Sequence, residues 1–166
     1  MEARLDLRKA LPEALKIMLA LEARVAQSGL DTRLLHLVKM RASQINGCAY
    51  CLDMHSKEAR AEGETEQRLY ALDAWSETPF FSERERAALL WTEAVTLISK
   101  DHVPDAVFDS VRQQFSDEEL ANLTLAITLI NSWNRLNVAF RTVPGGYRAG
   151  MFRTQPDAAS RRDAPH

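Results

Sequence analysis

Apolar side chains return every three or four residues along most of this chain, and that period limits its fold more than any other feature. Over 12–27, Leu15, Met18, Leu19, Leu21 and Val25 share one helical face, and Pro12 suits a first turn. Ser28-Gly29 stops that helix. Asp31 caps the next, which turns Leu34, Leu35, Leu37, Val38 and Met40 towards a core. Asn46-Gly47 ends it, and a third helix runs from near Cys48 to about Arg60, with Gly63 as its stop. A shorter helix is expected over 65–75, with Pro79 in the loop that follows. Ser82 with Glu85 and Ser116 with Glu119 match capping boxes, each opening a long helix, over 83–99 and 117–141. Pro104 opens a short helix between them, and Pro144-Gly145-Gly146 breaks the last. These windows are rich in Ala, Leu, Glu, Arg and Gln and poor in β-branched clusters. The pattern predicts an all-α domain of about seven helices over 1–152. The stretch 153–166 has almost no large apolar residues and is expected to be a flexible tail.

At 166 residues the chain is long enough for one domain with a sizeable core. A net charge of −2 lacks the basic surplus of a nucleic-acid binder. No apolar run reaches the ~18 residues of a membrane span, and the first residues are charged, without the apolar core of a secretion signal. The expectation is a cytoplasmic protein with no nucleic-acid or membrane partner. Composition does not choose an activity.

The two cysteines narrow the choice. Cys48 and Cys51 stand three positions apart, too close to staple a distant loop. On a helix that spacing puts both on one face, with His55 one turn beyond Cys51 on the same face. The Asn46-Gly47 turn puts Cys48 at or just before the helix start, where unpaired N–H groups and the helix dipole favour a thiolate. A histidine one turn away can take the thiol proton, which makes a nucleophile and base from local sequence. The pair can also close a disulfide. One thiolate attacks an oxidant and becomes a sulfenic acid, the other condenses with it and releases water, and a dithiol reopens the bond. No bound cofactor is needed.

Three plainer readings stand beside this one. Cys48, Cys51 and His55 supply three zinc-type ligands, with His36 or His102 as a fourth, but no second such knuckle accompanies them. Free cysteines are also common small core residues. His55 alone reads as an ordinary helix histidine, and only its register with Cys51 lifts it.

The stretch LVKMRASQINGCAYCLDMHSKEARAEG resembles the signature of the AhpD-like alkylhydroperoxidases, within the carboxymuconolactone decarboxylase-like superfamily. The likeness extends from Leu37, Lys39 and Arg41 through the Ser43-to-Gly47 turn and the Cys48, Cys51, His55 triplet. It continues into ERAALLWTEAVTLIS and LTLAITLINSWNRLNVAFRTVP, covering about 140 residues. It implies an all-helical fold, assembly into trimers or hexamers, and thiol-dependent peroxidase activity with a thioredoxin-like or lipoylated dithiol donor. By the same resemblance Cys51 attacks the peroxide, His55 relays the proton, and Cys48 resolves and is more open to the reductant. Helix position alone favours Cys48 as the more acidic thiol. The register of His55 with Cys51 decides for Cys51.

One position departs from the family pattern. A glutamate is common twelve residues before the first cysteine, and here that position is His36. A neutral imidazole can relay a proton but supplies no fixed negative charge. Either His36 serves, or another acid does, and Glu93 is the candidate, among Leu89, Leu90, Ala94 and Leu97. The plain alternative is a solvated helix glutamate. Superfamily members without the thiol pair include muconolactone decarboxylases, which do not need a CxxC. The remaining alternatives are a disulfide oxidoreductase and a redox-sensing or metal-binding interaction protein. Trp75, Trp91 and Trp133 read as core or subunit-contact residues. Asn131, Asn134, Arg135 and Asn137 are unusually polar for a long apolar helix and read as helix-to-helix bonds or an interface.

Overall fold

The computed structural model describes residues 1–151 and is helical, with no strand among them. The predicted tail, 153–166, lies outside the described residues. Among the described residues, nine α-helices and one 3-10 helix stand where the sequence predicts about seven helices. The first of the additions has a local cause. Leu11 sits at φ −138°, ψ 57°, because a residue before proline is pushed out of the helical region. It divides α1 (Leu7–Ala10), capped by Asp6, from α2 (Pro12–Ala26). Then come α3 (Thr32–Ile45), capped by Asp31, and α4 (Ala49–Ala61). The helix expected over 65–75 is instead α5 (Glu66–Ala71) followed by a 3-10 segment, Leu72–Glu77, in which Ala74 leaves helical geometry. The helix expected over 83–99 stops earlier. α6 (Glu83–Thr96) ends at Leu97, and a one-turn α7 (Ile98–Asp101) closes on His102 at φ 56°. α8 (Asp105–Arg112) and α9 (Asp117–Phe140) complete the order. Both capping boxes form as the sequence predicts, on Ser82 with Glu85 and Ser116 with Glu119.

α3 is the centre of the molecule and packs against α4, α6 and α9. Its consecutive Leu37 and Val38 are both fully buried, in different apolar groups. Val38 joins Leu34, Ala88, Leu123 and Ile127, between α3, α6 and α9. Leu37 joins Leu72, Trp75, Phe81 and Leu89 on the side of the 3-10 segment. Burying one such leucine contributes about 1.5–3 kcal/mol. A third, smaller group holds Ala42, Cys48, Cys51 and Ile130, with Tyr50 and Trp133 packed against it. Trp75 and Trp91 are core residues, as read from the sequence.

After α9 the chain turns at Arg141, φ 53°, and returns across α4. The Gly145 N–H donates to Asp53, the Lys57 ammonium to the Tyr147 carbonyl, and the Gly150 N–H to Glu58. No helix among the described residues is long and apolar enough to cross a membrane.

Candidate active site

The two cysteines owe their placement to how α3 ends. Asn46 is its last near-helical residue, and Gly47 takes φ +63°. A Cβ at Gly47 would meet nothing within 4 Å, so the backbone, not crowding, asks for glycine. The Gly47 N–H reaches the Gln44 carbonyl at 3.1 Å and the Cys48 N–H reaches the Ser43 carbonyl at 3.0 Å. That pair of bonds is the Schellman closure of a helix C-terminus. Cys48 is then at once the end of this turn and the N-cap of α4. Its Sγ accepts from the Cys51 N–H at 3.4 Å, the place a serine or aspartate oxygen usually takes.

Cys48 and Cys51 are joined as a disulfide, with Cα atoms 5.4 Å apart. Both are buried, Cys48 at 1% and Cys51 at 3% exposure. The expectation that Cys48 is the more open thiol is therefore not met in the single chain. Both cysteines belong to one apolar group with Ala42 and Ile130, against which Tyr50 and Trp133 pack.

Asparagines hold the turn against α9. Asn46 Nδ2 donates to Asn131 Oδ1, Asn134 Oδ1 and the Ala42 carbonyl, each at 2.9 Å. Asn134 Nδ2 donates to Ser43 Oγ at 3.0 Å, and Ser43 donates on to the Lys39 carbonyl. Asn131 Nδ2 donates to Thr96 Oγ1 and the Ile127 carbonyl. Asn131 and Asn134 thus bond helix to helix around the cysteine turn, whereas Arg135 donates back to Asn131 on α9 itself. Asn137 Nδ2 points at Cys51 Sγ, 3.5 Å away. The sequence flags Asn137 as out of place on an apolar helix but assigns it no chemistry. The usable signal is spacing: Asn131, Asn134 and Asn137 recur every three residues on the helix that faces the CxxC turn.

His55 follows Cys51 by one turn and is 4% exposed. No hydrogen bond among the described residues joins its ring to either sulfur, and its Nδ1 has no partner there. Burial first, then the positive charges of Lys39 and His36, push its pKa well below the ordinary imidazole range. At neutral pH it is uncharged, the form in which a base can accept a proton. The His36 ring lies against it, centroids 6.2 Å apart. So the residue standing where the family glutamate is common is a neighbour of His55. Glu93 is held elsewhere. Its Oε1 accepts from Trp75 Nε1 at 2.7 Å and Arg41 Nε at 2.8 Å, and Arg41 also pairs with Asp73. The structure thus joins Cys48 to Cys51, sets His36 beside His55 one helical turn beyond Cys51, and ties Glu93 into the α3–α6 contact. Among the described residues no group of three His, Cys, Asp or Glu side chains is arranged to hold a metal ion, so the zinc set read from spacing is not assembled.

A buried acid that the sequence reading passed over shares this face of α4. Glu58 follows His55 by three residues, is buried, and accepts from the Tyr147 hydroxyl and the Gly150 N–H. Only the returning C-terminal segment makes that visible.

Comparison with known proteins agrees with the geometry. Residues 12–94 match the family model described as the carboxymuconolactone decarboxylase family. The uncharacterized protein YdfG of Bacillus subtilis is 45% identical over 139 residues, covering 84% of this chain and 95% of YdfG. The uncharacterized protein YnjA of Escherichia coli is 32% identical over 113 residues, 68% of this chain and 62% of YnjA. A crystal structure from Agrobacterium tumefaciens, of a protein of unknown function proposed as the antioxidant defence protein AhpD, superposes with a TM-score of 0.85. It is 47% identical and covers 88% of this chain and all of its own, 100%. The debrominase Bmp8 shares the fold alone, at a TM-score of 0.72 and 22% identity, over 83% of this chain and 74% of that one. The chain belongs to the carboxymuconolactone decarboxylase family and is AhpD-like in structure.

Proposed function

We infer that the chain is a thiol-dependent peroxidase acting on hydrogen peroxide or organic hydroperoxides. The observation that carries this reading is the Cys48–Cys51 disulfide within the first turn of α4, with an uncharged, buried His55 one turn further on. In the reduced protein His55 takes the Cys51 proton. The thiolate attacks the distal peroxide oxygen, the O–O bond breaks, and the departing alkoxide leaves as alcohol or water with a proton relayed from His55, with His36 beside it. Cys51 is then a sulfenic acid. Cys48 displaces its hydroxyl as water and the disulfide forms. The sum is one hydroperoxide and two thiols converted to one alcohol, one water and one disulfide. A dithiol donor, thioredoxin-like or lipoylated, restores the thiols by exchange at Cys48. With Cys48 buried, that exchange requires the covering Tyr50 and Trp133 to yield. On this reading the protein is a cytoplasmic homo-oligomer, a trimer or hexamer as its family resemblance implies.

One observation favours a second reading, a disulfide oxidoreductase. Cys48 is the residue at the helix N-cap and accepts the Cys51 N–H, a setting that stabilises its own thiolate. Single-cysteine variants separate the two. Cys51→Ser is expected to lose reaction with cumene hydroperoxide, and Cys48→Ser to keep it and accumulate a sulfenic acid trapped by dimedone. The reverse pattern transfers the nucleophile to Cys48, and full reactivity in both variants refutes the mechanism.

A further inference from the structure

Asn131, Asn134 and Asn137 lie three residues apart on α9, but their amides are not used alike. Asn131 and Asn134 each donate and accept within the bonded group around Asn46. Asn137 makes one side-chain hydrogen bond among the described residues, from Nδ2 to Cys51 Sγ. That sulfur is buried among Ile130, Trp133 and Ala42, so water is not there to solvate a charge on it. Among the described residues, Cys48 Sγ accepts from the Cys51 backbone N–H and Cys51 Sγ from Asn137.

We propose that Asn137 is a catalytic residue whose amide N–H stabilises the Cys51 thiolate and aims its Sγ. The assignment rests on the peroxidase reading above. It also accounts for how Cys51, rather than the N-cap cysteine, is made the attacking thiol. When His55 takes the proton, the S–H electron pair stays on Sγ, where the Asn137 N–H points. An N–H donor to an anion in an apolar site is stronger than the same bond in water, and an amide supplies it at every pH. The packed helices also carry titratable groups, among them His36, Lys39 and Arg41 on α3, Asp53, His55, Lys57 and Glu58 on α4, and Arg135 on α9, with Tyr50 and Arg8 near the start of α4. All stay constant in the comparison below.

The test uses the Cys48→Ser protein, where Cys51 is the sole thiol. Iodoacetamide alkylation is followed by intact mass as a function of pH, and the midpoint of the rate reports thiolate formation. Adding Asn137→Leu is expected to raise the midpoint by about one pH unit, a roughly tenfold loss of thiolate at fixed pH. Asn137→Asp, which aims a carboxylate at the sulfur, is expected to raise it at least as far, and Asn137→Gln to recover part of the loss. Circular dichroism confirms that each variant is folded, and the Asp and Gln variants answer if the Leu variant does not fold. A midpoint unchanged in the folded variants overturns the assignment. Because alkylation needs no peroxide, the two readings fail separately. No sulfenic acid in Cys48→Ser, with the midpoint still raised by Asn137→Leu, refutes Cys51 as the peroxide-attacking thiol and leaves Asn137 as the donor to the Cys51 thiolate.

Discussion

Asn134→Ala tests whether the asparagines of α9 hold the cysteine turn. Asn134 is fully buried, accepts from Asn46 Nδ2 and donates to Ser43 Oγ. Alanine removes both bonds but strands neither partner. Asn46 keeps Asn131 and Ala42, and Ser43 keeps the Lys39 carbonyl. The loss is then two net hydrogen bonds at about 1 kcal/mol each. A vacated carboxamide of roughly 40 Å³ adds about 1 kcal/mol at ~24 cal/mol per Å³. The sum is about 3 kcal/mol, read from urea unfolding at fixed protein concentration. For a chain of this size it corresponds to a fall in Tm of roughly 6–12 °C. The loosened turn should also slow closure of the Cys48–Cys51 disulfide by oxidant, since Ser43 is the residue whose carbonyl receives the Cys48 N–H. A loss below about 1 kcal/mol with disulfide closure at the parent rate would refute the claim that this bonded group positions the thiols.

Other outcomes follow from the same contacts. His55 has a folded-state pKa depressed below its unfolded value of about 6.5, so the unfolded chain binds the extra proton as pH falls. Stability is therefore full above about pH 6.5 and declines below it by up to about 1.4 kcal/mol per pH unit, a slope that urea unfolding should show weakened in His55→Gln. Tyr147→Phe removes a donor from the buried Glu58 carboxylate and leaves it the Gly150 N–H; we expect a loss of about 1–3 kcal/mol in chemical denaturation. Glu93→Gln keeps an acceptor for Trp75 but gives up the Arg41 charge pair, so we expect a lower Tm and an unchanged rate of peroxide-driven disulfide formation; a tenfold slower rate would instead put Glu93 in the proton relay.

Much of this architecture is legible in the residues, because its signals are local. The two capping boxes, the Asp31 cap and the Asn46-Gly47 turn each act within four residues and form where the sequence places them. The cysteine site is legible for the same reason: Cys48, Cys51 and His55 share a helix face by spacing alone. The misses are of two kinds. Leu11 and Leu97 break helices through backbone angles that apolar periodicity does not register, although Pro12 announced the first. The others are contacts between distant segments. The Asn137–Cys51 bond spans 86 residues and the Tyr147–Glu58 bond 89. Glu93 is half-buried, and its partners, Arg41 and Trp75, come from other elements. Spacing along one helix cannot announce a partner on another.

The central claim is that Cys48 and Cys51 pass electrons to a hydroperoxide. The most direct measurement is the intact mass of the reduced, metal-free protein before and after a brief stoichiometric dose of cumene hydroperoxide. The account predicts rapid loss of about 2 Da, two thiol hydrogens, with one cumyl alcohol released per disulfide formed. Thiols that survive the dose with their mass unchanged would contradict it.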